Sequence, residues 1–383
     1  MRVIKRKGNR ILTAIGAACL ALTAILCNVP RAQAAVQVDM AQTGTLALKL
    51  PEDEGSADMV MDMARIKGAD GTANGELDVH AWKVADMLET GRYELSGEFE
   101  GLGIEGDAWR EMSLSEEGWK NLAAAAMDLI YEPDKDGKPV GEPKIPATYD
   151  KAVHVAEDGT IAEPETLAGM ELGLYLVAVD TAKSPKYTYT FTPMIVSLPW
   201  SLYQYEGASG EDAWQYAREA FLKPAQEPRY GSIRIIKELT DYNASQGDVT
   251  FVFDVVAREN GEEDAEIVYS NVVSLTFSEV GVKEAVLEHI PTESVVTVTE
   301  VYSGANCELT VSDDESKTVI ADGEDGNPVT FYFENRYDED AKSGYGVENR
   351  FRYDTERNTY QWTTDRPGIG GGTVNGDKAE AGE

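Results

Sequence analysis

A lysine, a glutamate and an asparagine in the C-terminal half of the chain could together make a covalent bond. Lys237, Glu300 and Asn335 each end a segment of alternating apolar residues. Burying any one of them alone would be costly. Burying them together favours a neutral lysine amine, which is a nucleophile, and a protonated glutamic acid, which can polarise the asparagine carboxamide. Attack of the amine on the carboxamide would release ammonia and leave a neutral amide cross-link.

Three predicted strands would have to position these side chains. They lie at residues 231–237, 295–300 and 329–335, and each alternates apolar with polar residues. A period of two puts every second side chain on one face of a sheet, so the three functional groups can meet in one core. The alternative is that the lysine and the glutamate lie partly exposed on their strands and that the asparagine belongs to a turn.

The order of these segments resembles the Cna B-type domains of Gram-positive surface proteins. The resemblance covers roughly residues 230–337 and includes His289-Ile290-Pro291 before the glutamate strand. In that family a first-strand lysine and a last-strand asparagine become joined with the help of a glutamate. The resemblance therefore implies an immunoglobulin-like β-sandwich in which Lys237 and Asn335 are cross-linked and Glu300 is the proton shuttle.

The first part of the chain resembles the N-terminal domain of sortase-assembled pilin subunits. The matching segments occur in that family's order and lie at residues 81–86, 113–131, 173–177 and 189–199. The resemblance implies a second β-sandwich over residues 35–200 with a helical insertion near 113–131. The helix is also predicted by its apolar spacing and by Ser113 or Ser115 as the N-terminal cap.

No Lys–Asn cross-link is predicted in this first domain. Val179 occupies the position where the family pattern would place a glutamate, and the segment 197–199 ends without an asparagine. Lys49 and Lys83 are therefore predicted to be solvated strand lysines.

Residues 201–229 are predicted to be a linker. In shaft pilins the comparable stretch holds the lysine that sortase uses for polymerisation. Here Trp214-Gln215-Tyr216 is followed by Lys223 and Pro224, without the full family motif. Lys223 is the candidate sortase acceptor, and the alternative is an ordinary linker lysine.

The N-terminus has the features of an export signal. Residues 1–10 hold five basic residues, 11–26 form an apolar run, and Ala32-Gln33-Ala34 is a cleavage motif. The run is shorter than a membrane span. Removing residues 1–34 takes away six of the 34 basic and none of the 68 acidic residues, which leaves 28 against 68 and a net charge of −40. This charge disfavours binding to nucleic acid or to an anionic membrane.

Cysteine content excludes an intramolecular disulfide in the exported chain. Cys19 and Cys27 leave with the signal, so Cys307 remains alone and is predicted to be a half-buried free thiol. An exported chain without disulfides is stabilised either by another kind of cross-link or by its packing alone. A cross-link closing the loop between positions 237 and 335 could stabilise the fold by up to ~4–5 kcal/mol.

Enzyme chemistry finds little support in the sequence. The histidines are His80, His154 and His289, and no spacing suggests a zinc site or a nucleophile with its base. The acidic stretches 134–137 and 322–326 do not complete a calcium-loop pattern. We predict no enzymatic activity beyond a single-turnover bond formation, and no cofactor or metal.

The sequence thus predicts a mostly β protein with two β-sandwich domains in tandem and a flexible polar tail over 338–383. Within that tail, the aromatic stretch 345–362 could add a strand or lie along the second domain. The chain as written carries no "LPxTG" sorting signal, so retention through its own C-terminus is not expected. The expected function is a subunit of an extracellular surface fibre, with other pilin subunits and a sortase as partners. The alternative is a secreted or fibre-tip adhesin that binds a host or bacterial ligand.

Overall fold

Strands dominate the chain and fall into two separately packed units. The computed structural model describes residues 37–68, 71–106, 108–109, 115–135, 139–162, 166–201, 214–313, 315–338, 348–354, 359–365 and 374–376. One unit comprises the residues up to Ser184 together with Thr188–Glu227, and the other comprises Pro185–Tyr187 and the residues from Pro228 onward. The predicted mostly β class, with tandem β-sandwich units and a helical insertion in the first, is confirmed.

The first part of the chain contains short strands, two described α-helices and two 3-10 turns. Its strands are β1 (Gly44–Lys49), β2 (Glu76–Met87), β3 (Tyr93–Leu95), β4 (Glu132–Pro133), β5 (Pro139–Val140), β6 (Tyr149–Val155), β7 (Ile161–Ala162), β8 (Thr166–Met170), β9 (Gly173–Val179), β10 (Ala182–Lys183), β11 (Tyr187–Phe191), β12 (Met194–Leu198), β13 (Trp200–Ser201), β14 (Trp214–Gln215), β15 (Ala217–Phe221) and β16 (Pro224–Pro228). The helices are α1 (Ala57–Met63) and α2 (Glu116–Ile130), and the turns lie at Glu54–Ser56 and Gly97–Leu102.

The helical insertion packs on the largest sheet of the first unit. That sheet has the strand order β12-β9-β2-β6-β7, with β3 also paired to β2. Trp82 and Val84 of β2 are buried under Ala126 and Ile130 of α2. The Ser115 hydroxyl accepts a hydrogen bond from the Gly118 N–H at 3.0 Å, which caps the helix. The predicted helix and its cap at this serine are therefore confirmed.

Part of the predicted linker belongs to the first unit instead. β15 pairs in parallel with β1, from Thr45 opposite Ala217 to Lys49 opposite Phe221, and β8 pairs with the other edge of β1. The linker prediction is wrong for these residues because main-chain hydrogen bonds to β1 order a stretch whose polar composition resembles that of a loop. Residues 202–213 of the predicted linker lie outside the described residues.

The second unit contains a sandwich of two four-stranded sheets, followed by three further strands. Its strands are β17 (Tyr230–Leu239), β18 (Val249–Arg258), β19 (Ile267–Phe277), β20 (Gly281–Pro291), β21 (Val295–Tyr302), β22 (Cys307–Ser312), β23 (Lys317–Thr318), β24 (Val329–Tyr337), β25 (Glu348–Asp354), β26 (Thr359–Asp365) and β27 (Val374–Gly376), with a 3-10 turn at Ala244–Gln246. One sheet has the order β20-β17-β24-β22 and the other has the order β19-β18-β21-β23.

Large apolar side chains from both sheets fill the space between them. Ile233 and Ile235 of β17 and Phe331 of β24 face Phe251 and Phe253 of β18, and all are fully buried. The burial pattern alternates along β17, β18 and β24, as expected for strands with one face in a core. Every second residue of these strands is thereby directed into a dry interior.

The predicted polar tail contains strands. β25, β26 and β27 form an antiparallel sheet in which Phe351 lies opposite Trp362 and Tyr353 lies opposite Tyr360. The expectation that the aromatic stretch at 345–362 could add a strand agrees with β25 and with the start of β26. The aromatic stretch at 345–362 was the sequence feature that pointed to a strand.

The N-terminal 36 residues, which hold the predicted signal, lie outside the described part of the chain. Within that described part, no helix is both long and apolar enough to span a bilayer.

Candidate functional site

Three strands of the second unit bring the predicted lysine, glutamate and asparagine together. β17 and β24 are parallel neighbours, with Lys237 opposite Phe333 and Leu239 opposite Asn335. Both polar residues occupy inward positions of their alternating strands. β21 supplies Glu300 from the facing sheet. The site therefore bridges the two layers of the sandwich.

The three side chains form one closed, buried cluster. The Lys237 and Glu300 side chains are 0% exposed, and Asn335 is 0% exposed. Lys237 Nζ contacts Asn335 Oδ1 directly. It also lies 3.0 Å from Glu300 Oε2, although without the angles of a hydrogen bond. Asn335 Nδ2 donates to Glu300 Oε1 at 2.7 Å. The prediction that these residues can face one core agrees with this arrangement.

The surroundings of the lysine favour its neutral form. Burial lowers the pKa of Lys237 below its ordinary value, while the Glu300 charge opposes that shift. Lys237 Nζ lies over the Phe251 ring, 4.5 Å from its centroid. An amine that gives up its proton readily, held against a carboxamide, can act as a nucleophile.

The carboxyl group meets the amide from its nitrogen side. The sequence suggests that Glu300 polarises the carboxamide, which would place the acid at the amide oxygen. In the structure Glu300 instead contacts Asn335 Nδ2, and Lys237 is the group at Oδ1. The carboxyl group thus bridges the lysine and asparagine nitrogen atoms, because Oε2 lies beside Nζ and Oε1 beside Nδ2.

One neighbour of this cluster was not assigned a role from the sequence. The main-chain oxygen of Ser303 accepts a hydrogen bond from Asn335 Nδ2 at 3.3 Å. A main-chain acceptor leaves no signature in residue type. The only sequence signal nearby is Gly304, which has a φ of 77°.

The predicted free thiol lies at the start of β22. Cys307 is half-buried and unpaired, as predicted. Burial raises the pKa of the Cys307 thiol to about 11, which keeps it in its weakly nucleophilic form near neutral pH.

The other singled-out lysines lie elsewhere. Lys223 is exposed and falls between β15 and β16, in the first unit. Lys49 is half-buried at the end of β1. Lys83 does not fit the prediction of a solvated lysine, since its side chain is only 14% exposed and pairs with Asp86 and Glu171. Asp86 lies three residues away on the same strand, and Glu171 lies in the connection between β8 and β9.

The histidines are likewise dispersed. His80 on β2 contacts Asp150 at 2.6 Å through Nδ1 and lies 3.5 Å from Asp180 through Nε2. His154 lies 3.5 Å from Glu76, and His289 stacks near Tyr230 in the second unit. Of the predicted acidic turns, Asp322 accepts a hydrogen bond from Ser232. Residues 136–138 of the other turn lie outside the described residues.

Comparison with known families gives one match. A family model described as a domain of unknown function (DUF5979) matches residues 233–338. The matched stretch contains all three residues of the cluster. No curated protein matches the chain.

Several solved structures are similar to this chain at low sequence identity. A streptococcal ancillary pilin is 14% identical, with 88% of this chain and 84% of that chain covered and a TM-score of 0.23. A full-length major pilin from Corynebacterium diphtheriae is 14% identical, with 82% and 74% covered and a TM-score of 0.24. A minor pilin of Streptococcus agalactiae is 10% identical, with 78% and 98% covered and a TM-score of 0.19.

Proposed function

We propose that this chain is an extracellular structural subunit of a bacterial surface fibre or surface assembly, stabilised by an isopeptide bond between Lys237 and Asn335. The observation that carries the proposal is the fully buried contact of these two side chains with Glu300. Bond formation is a single-turnover event within the chain. It requires no cofactor, because each group that moves a proton belongs to the cluster.

The bond forms by exchange of one amine for another at the Asn335 carbonyl carbon. The Lys237 Nζ lone pair attacks Cγ, and Glu300 takes a proton from Nζ through Oε2. Glu300 delivers a proton to Nδ2 through Oε1, so the Cγ–Nδ2 electron pair leaves with ammonia. The carboxyl group ends in its starting protonation state, which makes it a shuttle.

The topology makes this bond useful in a fibre. β17 is the first and β24 the last strand of the sandwich, and they are parallel neighbours. Tension applied to the two ends of this unit enters through one of these strands and leaves through the other. A covalent bond between Lys237 and Asn335 would transmit this force directly from one strand to the other. The two residues are 98 positions apart, so the 97 residues between them, 238–334, would not be extended.

Charge and redox chemistry support an extracellular site of action. The predicted signal, the net charge of −40 after its removal and the single remaining cysteine suit an exported chain without disulfides. An internal amide bond is a staple that resists reduction. It would therefore stabilise this chain outside the cell in the way that disulfides stabilise other exported proteins.

A cell-wall extract from the source bacterium tests the fibre assignment. Antibody against this chain is expected to detect a ladder of high-mass species that disappears when the sortase gene is deleted. Release of the chain only as a monomer into the medium would contradict the fibre assignment and would favour the secreted adhesin.

Lys223 is the proposed acceptor for polymerisation, since it is an exposed lysine that follows Trp214-Gln215-Tyr216. Lys223→Arg keeps the positive charge and removes the primary amine, so the ladder is expected to disappear. The matched control is Lys120→Arg, at a lysine whose side chain is 62% exposed on α2. A ladder unchanged by Lys223→Arg would discard Lys223 as the acceptor and leave the fibre assignment intact.

A further inference from the structure

The strand that carries the glutamate is irregular just beyond it. On β18, Phe253 lies opposite Glu300 whereas its neighbour Val252 lies opposite Tyr302, so Val301 is an extra residue in β21. An extra residue of this kind is a β-bulge, which bends a strand and redirects the groups that follow. The regular alternation of β21 therefore ends at the functional glutamate.

The main chain after this bulge reaches the asparagine. Asn335 Nδ2 has two hydrogen atoms, and its two acceptors are Glu300 Oε1 at 2.7 Å and the Ser303 main-chain oxygen at 3.3 Å. Both partner atoms are placed as acceptors. Turning the carboxamide over would direct Asn335 Oδ1 at two other oxygen atoms and leave Lys237 facing an N–H group. The Ser303 oxygen therefore selects one orientation of the carboxamide.

A glycine makes this approach of the main chain possible. Gly304 has a φ of 77°, a conformation that glycine adopts without strain. A Cβ atom at this position would lie 2.6 Å from Val249 Cγ1 and 3.5 Å from Phe251 Cε1. The latter ring is the one beneath Lys237 Nζ. A side chain at position 304 would therefore disturb both the turn and the surroundings of the lysine.

We infer that the Ser303 main-chain carbonyl, presented by the bulge at Val301 and by Gly304, is a positioning group for formation of the Lys237–Asn335 bond. It holds Nδ2 toward the carboxyl group and Oδ1 toward the lysine. It also accepts a hydrogen bond from the leaving nitrogen as the Cγ–Nδ2 bond breaks and ammonia departs. The inference rests on the isopeptide bond of the proposed function and adds a fourth group to its chemistry.

The rate of ammonia loss in the full-length protein tests this role. Gly304→Ala is expected to lose ammonia at least about tenfold more slowly than wild type, because a misplaced reacting group costs rate. Intact mass is followed with time from the earliest point after synthesis. Gly323→Ala is the matched control, since Gly323 has a φ of 84° in the same unit and no atom within 4 Å of the added Cβ. Val249→Ala added to Gly304→Ala removes the 2.6 Å contact and is expected to restore much of the rate.

A spectroscopic measurement separates positioning from general destabilisation. In the Lys237→Met background the bond cannot form, so the side-chain ¹⁵N–¹H resonances of Asn335 report its hydrogen bonds directly. Gly304→Ala is expected to shift these resonances and to speed their exchange with solvent, whereas Gly323→Ala leaves them unchanged.

Failure of the proposed bond and failure of the proposed role of Ser303 give different results. A wild-type protein that keeps its full sequence mass overturns the bond itself and this inference with it. A wild-type protein that loses ammonia, together with a Gly304→Ala protein that loses it at the wild-type rate, overturns only the role of Ser303.

Discussion

Two strand lysines, one in each unit, have opposite environments. Lys83 on β2 of the first unit lies 2.5 Å from Asp86 and 2.8 Å from Glu171, and those carboxylates are 53% and 74% exposed. Lys237 on β17 of the second unit is fully buried, and its one carboxylate partner, Glu300, is also fully buried. Both side chains rise from the middle of a sheet. The difference lies in the number of carboxylates and in their access to water.

The two environments shift the two lysines in opposite directions. Burial alone would lower the pKa of Lys83, but its bonds to Asp86 and Glu171 raise that pKa above the ordinary value. Burial lowers the pKa of Lys237, and the opposing charge of Glu300 does not reverse the effect. Lys83 is therefore a stable cation in an ion-pair network, whereas Lys237 is a candidate nucleophile. A buried lysine becomes reactive only where solvent and excess negative charge are both kept away.

The largest effect on stability is expected in the second unit, when Lys237 is replaced. Lys237→Met removes the amine, so the cross-link cannot form and the conformational entropy of the unfolded chain is no longer reduced. The free energy of unfolding of the second unit is expected to fall by up to ~4–5 kcal/mol, the chain-entropy value for a loop of this length. Calorimetry of the full chain measures this as a lower Tm of one transition. A transition that stays at the wild-type temperature would show that no cross-link stabilises this unit.

A smaller effect is expected from the corresponding change in the first unit. Lys83→Met replaces an ion pair whose carboxylates are largely in water, and such pairs contribute at most about 1 kcal/mol. The unfolding transition of the first unit is expected to shift slightly in temperature. The intact mass of the variant should show the same ammonia deficit as wild type. An equal loss of stability in Lys83→Met and Lys237→Met would remove the distinction between the two lysines.

The remaining prediction concerns the pH dependence of the ion pairs around His80 in the first unit. Hydrogen bonds to Asp180 and Asp150 raise the pKa of His80 from 6.5 to about 9, although burial opposes them. A raised pKa in the folded state means that the stabilisation is complete below pH 6.5 and is lost as pH rises toward 9. The unfolding free energy of the first unit is expected to fall over this window in wild type but not in His80→Gln. A fall of equal size in the variant would assign the effect to other groups.

The sequence predicted that Lys237, Glu300 and Asn335 could face one core because each lies on an alternating strand. The period of two fixed which residues of β17, β21 and β24 share a face, and the three polar exceptions marked the site. The sequence did not predict that Glu300 meets the amide nitrogen, because its direction depends on the facing sheet. The Ser303 carbonyl was also missed, since main-chain acceptors are independent of residue type.

Outside the site, strand pairing decided structure that the domain resemblances did not cover. Residues 201–229 were predicted to be a linker because they lie between the two segments that resemble known domains, yet β15 gains its order from main-chain bonds to β1. Lys83 was predicted to be solvated because the cross-link pattern lacks its glutamate and asparagine, yet Asp86 on the same strand and Glu171 both pair with it. The pairing of β15 with β1 and the contact with Glu171 both join residues far apart in the chain.

The intact mass of the mature full-length protein is the most direct test of the cross-link. Wild type is expected to weigh less than its sequence by the mass of one ammonia, and Lys83→Met is expected to show the same deficit. Lys237→Met, Asn335→Ala and Glu300→Gln are each expected to regain the full mass, although Glu300 contributes no atom to the bond. A wild-type mass equal to that of the sequence would contradict the central claim that these three buried residues form an isopeptide bond.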